Sequence, residues 1–89
     1  MNQADDVARV TVSTAGERRQ FSLPWETTVG DLERLSVASF GLEAEAGLEL
    51  WCSDGTSMAT KRSRTLGDLR ERLICPQRAF ELRPPKPRS

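Results

Sequence analysis

The chain predicts an α+β fold of two layers: a small mixed sheet with one main helix packed across one face. Three observations carry this. Residues 7–13 (VARVTVS) alternate apolar with polar, the period of a strand with one buried face. Residues 18–42 (RRQFSLPWETTVGDLERLSVASFGL) read as a strand, a tight corner and then an amphipathic helix. Beyond the helix, the apolar residues fall into short strand-like runs, 47–52 and 78–83, with one brief helical segment before the last. Helix on one face only makes this a two-layer arrangement.

The first two strands form a hairpin. Ala8, Val10 and Val12 share one face, and Arg9, Thr11 and Ser13 the other. Thr14-Ala15-Gly16-Glu17 supplies a glycine for the turn, after which Phe21 and Leu23 alternate with Gln20 and Ser22. Pro24 lacks a backbone donor and ends the strand. Thr28 is placed to cap the helix, with Asp31 three residues on, resembling a capping box. Val29, Leu32, Leu35, Ser36 and Phe40 follow at helical spacing. Gly41 stands where a left-handed residue would end the helix, so that Leu42 folds back on the last turn.

Residues 43–46 read as a solvated connector and residues 47–52 (GLELWC) as the third strand. Leu48, Leu50 and Cys52 face the helix there, and Glu49 and Trp51 face away. Asp54-Gly55 is a hairpin turn into a short fourth strand around residues 57–59. A basic loop with Lys61, Arg62 and Arg64 comes next. Thr65 then caps a brief helix, LGDLRERL, with Leu66, Leu69 and Leu73 inward. Phe80 and Leu82 face the core from the last strand. The first and last strands are expected side by side in parallel at the centre of a sheet of four or five strands. The domain is expected to span residues 7–84, after a disordered stretch at 1–6 and before a linker or disordered tail at 85–89.

With 89 residues the chain forms one small domain, enough for a single core but not for a core and a deep enclosed active site as well. Thirteen basic and thirteen acidic residues cancel, so no global field favours nucleic acid or membrane. The halves differ: residues 1–60 carry four basic and ten acidic side chains, and residues 61–89 nine and three. Such polarity suits a solvated surface, a head-to-tail contact or an acidic partner. There is no histidine, and Cys52 and Cys75 lack a CxxC spacing, which argues against zinc. A disulfide between them stays open, but both lie in strand-like apolar contexts where a buried reduced thiol is commoner. No signal peptide or membrane-spanning run is read, so a cytoplasmic setting is the default.

The order of these elements resembles the ubiquitin-like β-grasp superfold over nearly the whole chain. The hairpin VARVTV…FSLP, the helix entry TTVGDLERL, the Asp-Gly turn after LELWC, and TLGDL before FELRP carry the likeness. A conjugated modifier or sulfur carrier of that superfold ends in two glycines, whereas this chain reads LRPPKPRS, so neither role is expected. FSLP, FGL and SDGT…LGDLRERL are similar to PB1 domains, which pair a basic strand on one copy with an acidic loop on another. Here only Asp54 stands in the acidic loop and only Arg9 on the basic strand. The helix, the hairpin and a strand ending in two prolines also look like the N-terminal ubiquitin-like heads of cytoskeletal scaffold proteins. That likeness implies a cytoskeletal association and a longer parent chain.

Catalysis finds no support, because no Cys/His or Ser/His pair and no glycine-rich phosphate loop is present. No enzyme activity and no cofactor are expected. Trp51 is the leading candidate for binding, a large aromatic on the open face among Thr11, Ser13, Gln20, Ser22, Glu81 and Arg83. Arg83, Arg9 and Glu81 are expected around it, and the resemblance implies a partner-binding patch on this same face. Trp25, in the corner before the helix, either covers the core's lower edge or adds a second anchor. Lys61, Arg62 and Arg64, with Arg70 and Arg72, could meet an acidic protein surface. With no aromatic residues interleaved, RNA is not expected. The expected partner is another protein, neither nucleic acid nor membrane, with weak self-association through opposite charges as the competing account.

Overall fold

The hairpin forms as its turn chemistry demands. In the computed structural model, which describes residues 7–42 and 47–83, β1 (Val7–Thr14) pairs antiparallel with β2 (Glu17–Pro24). Thr14 faces Glu17, leaving Ala15 and Gly16 as a two-residue loop with φ of 50° and 84°. Two left-handed residues match the twist of the flanking strands, which is why a glycine belongs there. Ala8, Val10 and Val12 are buried, as their alternation predicts.

α1 (Val29–Ser39) begins at Thr28, whose hydroxyl accepts the Asp31 N–H at 3.1 Å. It ends through two reversed bonds, Leu42 N–H to the Val37 carbonyl and Gly41 N–H to that of Ala38, with Gly41 at φ +70°. Val29, Leu32 and Ser36 are buried, and the Ser36 hydroxyl donates to the Leu32 carbonyl at 2.7 Å. Leu35, expected on the packed face, is 39% exposed, while Ser36 beside it is buried.

β3 (Glu49–Cys52), α2 (Leu66–Glu71) and β4 (Ala79–Arg83) complete a four-stranded sheet in the order β2-β1-β4-β3. β1 and β4 run parallel at its centre, with Val12 level with Phe80, as the sequence predicts. The core combines Val10, Val12, Leu32, Leu50, Met58, Leu66, Leu69, Phe80 and Leu82.

Four further expectations are corrected. No fourth strand forms around residues 57–59: after the Asp54-Gly55 turn a single bridge joins Ser57 to Trp51, and the chain winds into a 3-10 turn, Ala59–Lys61, that buries Met58. Leu73 does not face inward and is 77% exposed. It is the left-handed residue (φ +56°) that ends α2, and Ile74 folds back instead, its N–H on the Leu69 carbonyl at 2.8 Å. Cys52 and Cys75 are not reduced thiols but a buried disulfide, with Cα atoms 5.7 Å apart. The last strand starts at Ala79, because Arg78 is left-handed (φ +53°). Residues 1–6, the connector 43–46 and the tail 84–89 lie outside the described residues.

The two helix N-termini satisfy one another. Val29 and Gly30 donate their N–H groups to the carbonyls of Arg64 and Arg62, at 2.8 and 3.0 Å. Leu66 and Gly67 donate theirs to the carbonyls of Thr27 and Trp25, both at 2.9 Å. Four amides that helix geometry leaves without intrahelical partners thus find them across the junction.

Candidate interaction surface

Strand alternation sets the open face. Trp51 lies between the buried Leu50 and Cys52 and so stands away from α1. Its cross-strand partner is Glu81, which is level with Ser13, which is level with Arg18, so one rung reads Arg18–Ser13–Glu81–Trp51 across all four strands. The Arg83 guanidinium lies 5.2 Å from the Trp51 ring centroid. Arg83 also grips Glu81, Nε donating at 2.8 Å and Nη2 lying 2.7 Å away. Trp51 is therefore half-buried beneath a clasped ion pair, not a bare exposed ring. Its indole N–H is buried and meets no acceptor among the described residues.

Of the residues expected around Trp51, the structure brings Glu81 and Arg83 together with it. Arg9 is exposed on the same face but level with Ser22, four residues along β1 from Ser13, roughly 13 Å away. Ser13, expected near Trp51, and Arg18, which was not, occupy the Trp51 rung. Only the hairpin register could have revealed Arg18, and Thr14-Ala15-Gly16-Glu17 fixes that register once the two-residue loop is recognised.

A second aromatic lies at the opposite end. Trp25 follows Pro24, which is level with Val7, and is half-buried against the core. The guanidinium of Arg70 lies 4.8 Å from its ring centroid and that of Arg78 lies 5.4 Å away. Trp25 thus covers the lower edge of the core and also carries two cations. Arg62 of the basic loop pairs with Glu33 at 3.3 Å, across to α1. Lys61 and Arg64 are half-buried in the same loop, whose carbonyls hold the start of α1.

No protein-family model matches the chain, and no curated protein is similar to it. Solved structures do resemble it. One is the UBL domain of yeast Ddi1, with a TM-score of 0.68 and 17% identity, covering 94% of this chain and 95% of that one. Another is the N-terminal ubiquitin-like domain of the 4931431F19Rik protein, with a TM-score of 0.63 and 16% identity, covering all of this chain and 85% of that one. The fold is the ubiquitin-like β-grasp.

On this ubiquitin-like fold the concave features are modest. A groove of about 350 Å³ runs beside α1, lined by Glu33, Arg34, Val37, Ala38, Leu42 and Leu48. Its lining offers no convergent set of polar groups such as a reaction needs. Among the described residues no cluster of His, Cys, Asp or Glu could hold a metal, and no helix is long and apolar enough to cross a membrane. The Asp54 carboxyl is held below its ordinary value by the Thr56 hydroxyl and N–H, the latter at 2.9 Å, which serves the turn and not chemistry.

Proposed function

We propose that this domain is a non-covalent protein–protein interaction module, the N-terminal head of a larger scaffold or adaptor, and that it binds through the open sheet face. The observation that carries this reading is Trp51 beneath Arg83. An aromatic with an arginine stacked on it, on a sheet face that no helix among the described residues covers, combines two side chains that are enriched among the dominant contacts of interfaces. Glu81 holds Arg83 in place, so the pair is ordered before a partner arrives and little rotamer entropy remains to be lost. Arg18, level with Trp51, and the more distant Arg9 form the rim. Near-zero net charge and an acid beside the anchor support a protein partner over nucleic acid or membrane.

The test compares wild type with Trp51→Ala in a pull-down from the native lysate, with the fold of each verified by two-dimensional NMR. Proteins retained by wild type and lost by the folded variant support the open face. Unchanged retention, or a variant that unfolds, sinks the assignment. In a cytoplasmic setting, reductants would reach the Cys52–Cys75 bond only when the structure opens, because both residues are buried.

A second reading, self-association through opposite charges, is favoured by the acidic and basic halves of the sequence. It predicts concentration-dependent oligomers in sedimentation velocity that dissolve as salt rises, because contacts between exposed charges are screened.

A further inference from the structure

We propose that Trp25, Arg70 and Arg78 form a second docking site, distinct from the open face, which takes an acidic segment of a partner protein. Two guanidiniums share one indole, at 4.8 and 5.4 Å from its centroid. The two charges therefore lie at most about 10 Å apart, where they repel one another, and a carboxylate that pairs with either or both would offset that cost. No described carboxylate does so. Glu26, Asp68 and Glu71 are near in sequence, yet the ion pairs among the described residues involve other arginines: Arg19, Arg34, Arg62 and Arg83. Arg78 Nε is moreover buried and meets no acceptor among the described residues, so a shift of that side chain toward an incoming acceptor would break no hydrogen bond of that atom among them.

The backbone presents this cluster from three directions. Trp25 is fixed by Pro24 before it and by its own carbonyl, which accepts the Gly67 N–H at 2.9 Å. Arg70 projects from α2, and Arg78 from a left-handed residue whose carbonyl accepts the Thr11 N–H at 3.0 Å. A guanidinium stacked flat on an indole keeps its N–H fork at the edge, the geometry that grips a carboxylate through two bonds. Arg72, exposed one residue past α2, adds charge at the rim. Trp25 and Trp51 stand at opposite ends of the sheet: Pro24 is level with Val7 and Glu81 with Ser13, six residues or roughly 20 Å along β1. One partner chain, or two, could occupy both surfaces together.

The charge halves of the sequence support an acidic occupant, and an extended peptide suits a cluster so small. The experiment titrates the intact, oxidised protein with a fluorescein-labelled octaglutamate peptide at low salt, read by fluorescence anisotropy. The decisive variant is Arg70→Lys/Arg78→Lys, which keeps the net charge and removes the stacked forks. It is expected to weaken binding about tenfold, because lysine is not equivalent to arginine at a stacked, bidentate site. Arg34→Lys, which makes the same charge-conserving exchange at an exposed arginine outside both surfaces, is expected to bind as wild type does. Equal affinity of the lysine variant and wild type, or no binding by wild type, overturns the proposal. So does tighter binding of an oligothymidylate of equal charge, which would make the site one for nucleic acid. Should the double variant fail to fold, Arg70→Lys alone, at an exposed helical position, decides by the same readout.

Discussion

Val29, the first residue of α1, donates its N–H to the carbonyl of Arg64 at 2.8 Å, and two residues past Arg64 the Leu66 N–H returns a bond to Thr27. The starts of both helices are thereby one structural unit, with Thr28 bridged to Thr65. The basic loop is thus held to α1 by its backbone carbonyls as well as by the Arg62–Glu33 pair.

Thr28→Ala and Thr65→Ala each remove a side-chain cap and should cost about 1 kcal/mol. Because the two caps adjoin, the double variant should depart from the sum by about 0.5 kcal/mol or more. Urea denaturation of the four proteins reads both quantities, and strict additivity would show the junction to be two independent caps.

Leu69 and Leu73 are four residues apart and should behave oppositely. Leu69 is buried, so Leu69→Ala should cost about 2–5 kcal/mol. Leu73 is exposed in a left-handed conformation, so Leu73→Gly should raise stability by about 0.5–1 kcal/mol. Thermal melts of the two variants check the contrast.

The Cys52–Cys75 bond spans 23 residues of sequence. Closing a loop of that length restricts the unfolded chain by about 3 kcal/mol, so reduction, or Cys52→Ala/Cys75→Ala, should lower the urea midpoint accordingly. Thiol titration of the untreated native and denatured protein should find no free thiol.

Asp54 gives a pH dependence of known sign. Its folded carboxyl lies below the ordinary value, so the stability it adds is present above that value, about 3.9, and is lost as pH falls through the lower folded one. Asp54→Asn should therefore flatten the acid limb of a stability–pH profile and leave the slope above pH ~5 unchanged.

The sequence made the hairpin, the parallel pairing of the first and last strands and both helix starts legible, because each rests on local signals: a glycine turn, alternation, a threonine before an apolar turn. Gly41 announced the end of α1. The end of α2 was hidden because Leu73 fills the left-handed position that glycine usually takes, so the leucine read as one more inward residue. The disulfide and the Trp25–Arg70–Arg78 cluster depend on approaches between residues 23 to 53 positions apart, which no local pattern encodes. Trp51 was legible as an outward aromatic, but its cover by Arg83 required the register of β3 against β4.

Parallel β1 and β4 enter the sheet at the same end, so Val7 and Arg83, where the described chain begins and finishes, lie at opposite ends of the molecule. Tension applied between those two points loads the hydrogen bonds of the central strand pair in shear, all together, and does not peel them apart one at a time. The disulfide meanwhile shields the chain between Cys52 and Cys75 from that tension, withholding roughly 80 Å of extension. Single-molecule stretching should record a length gain shorter by that amount in the oxidised protein than in the reduced one.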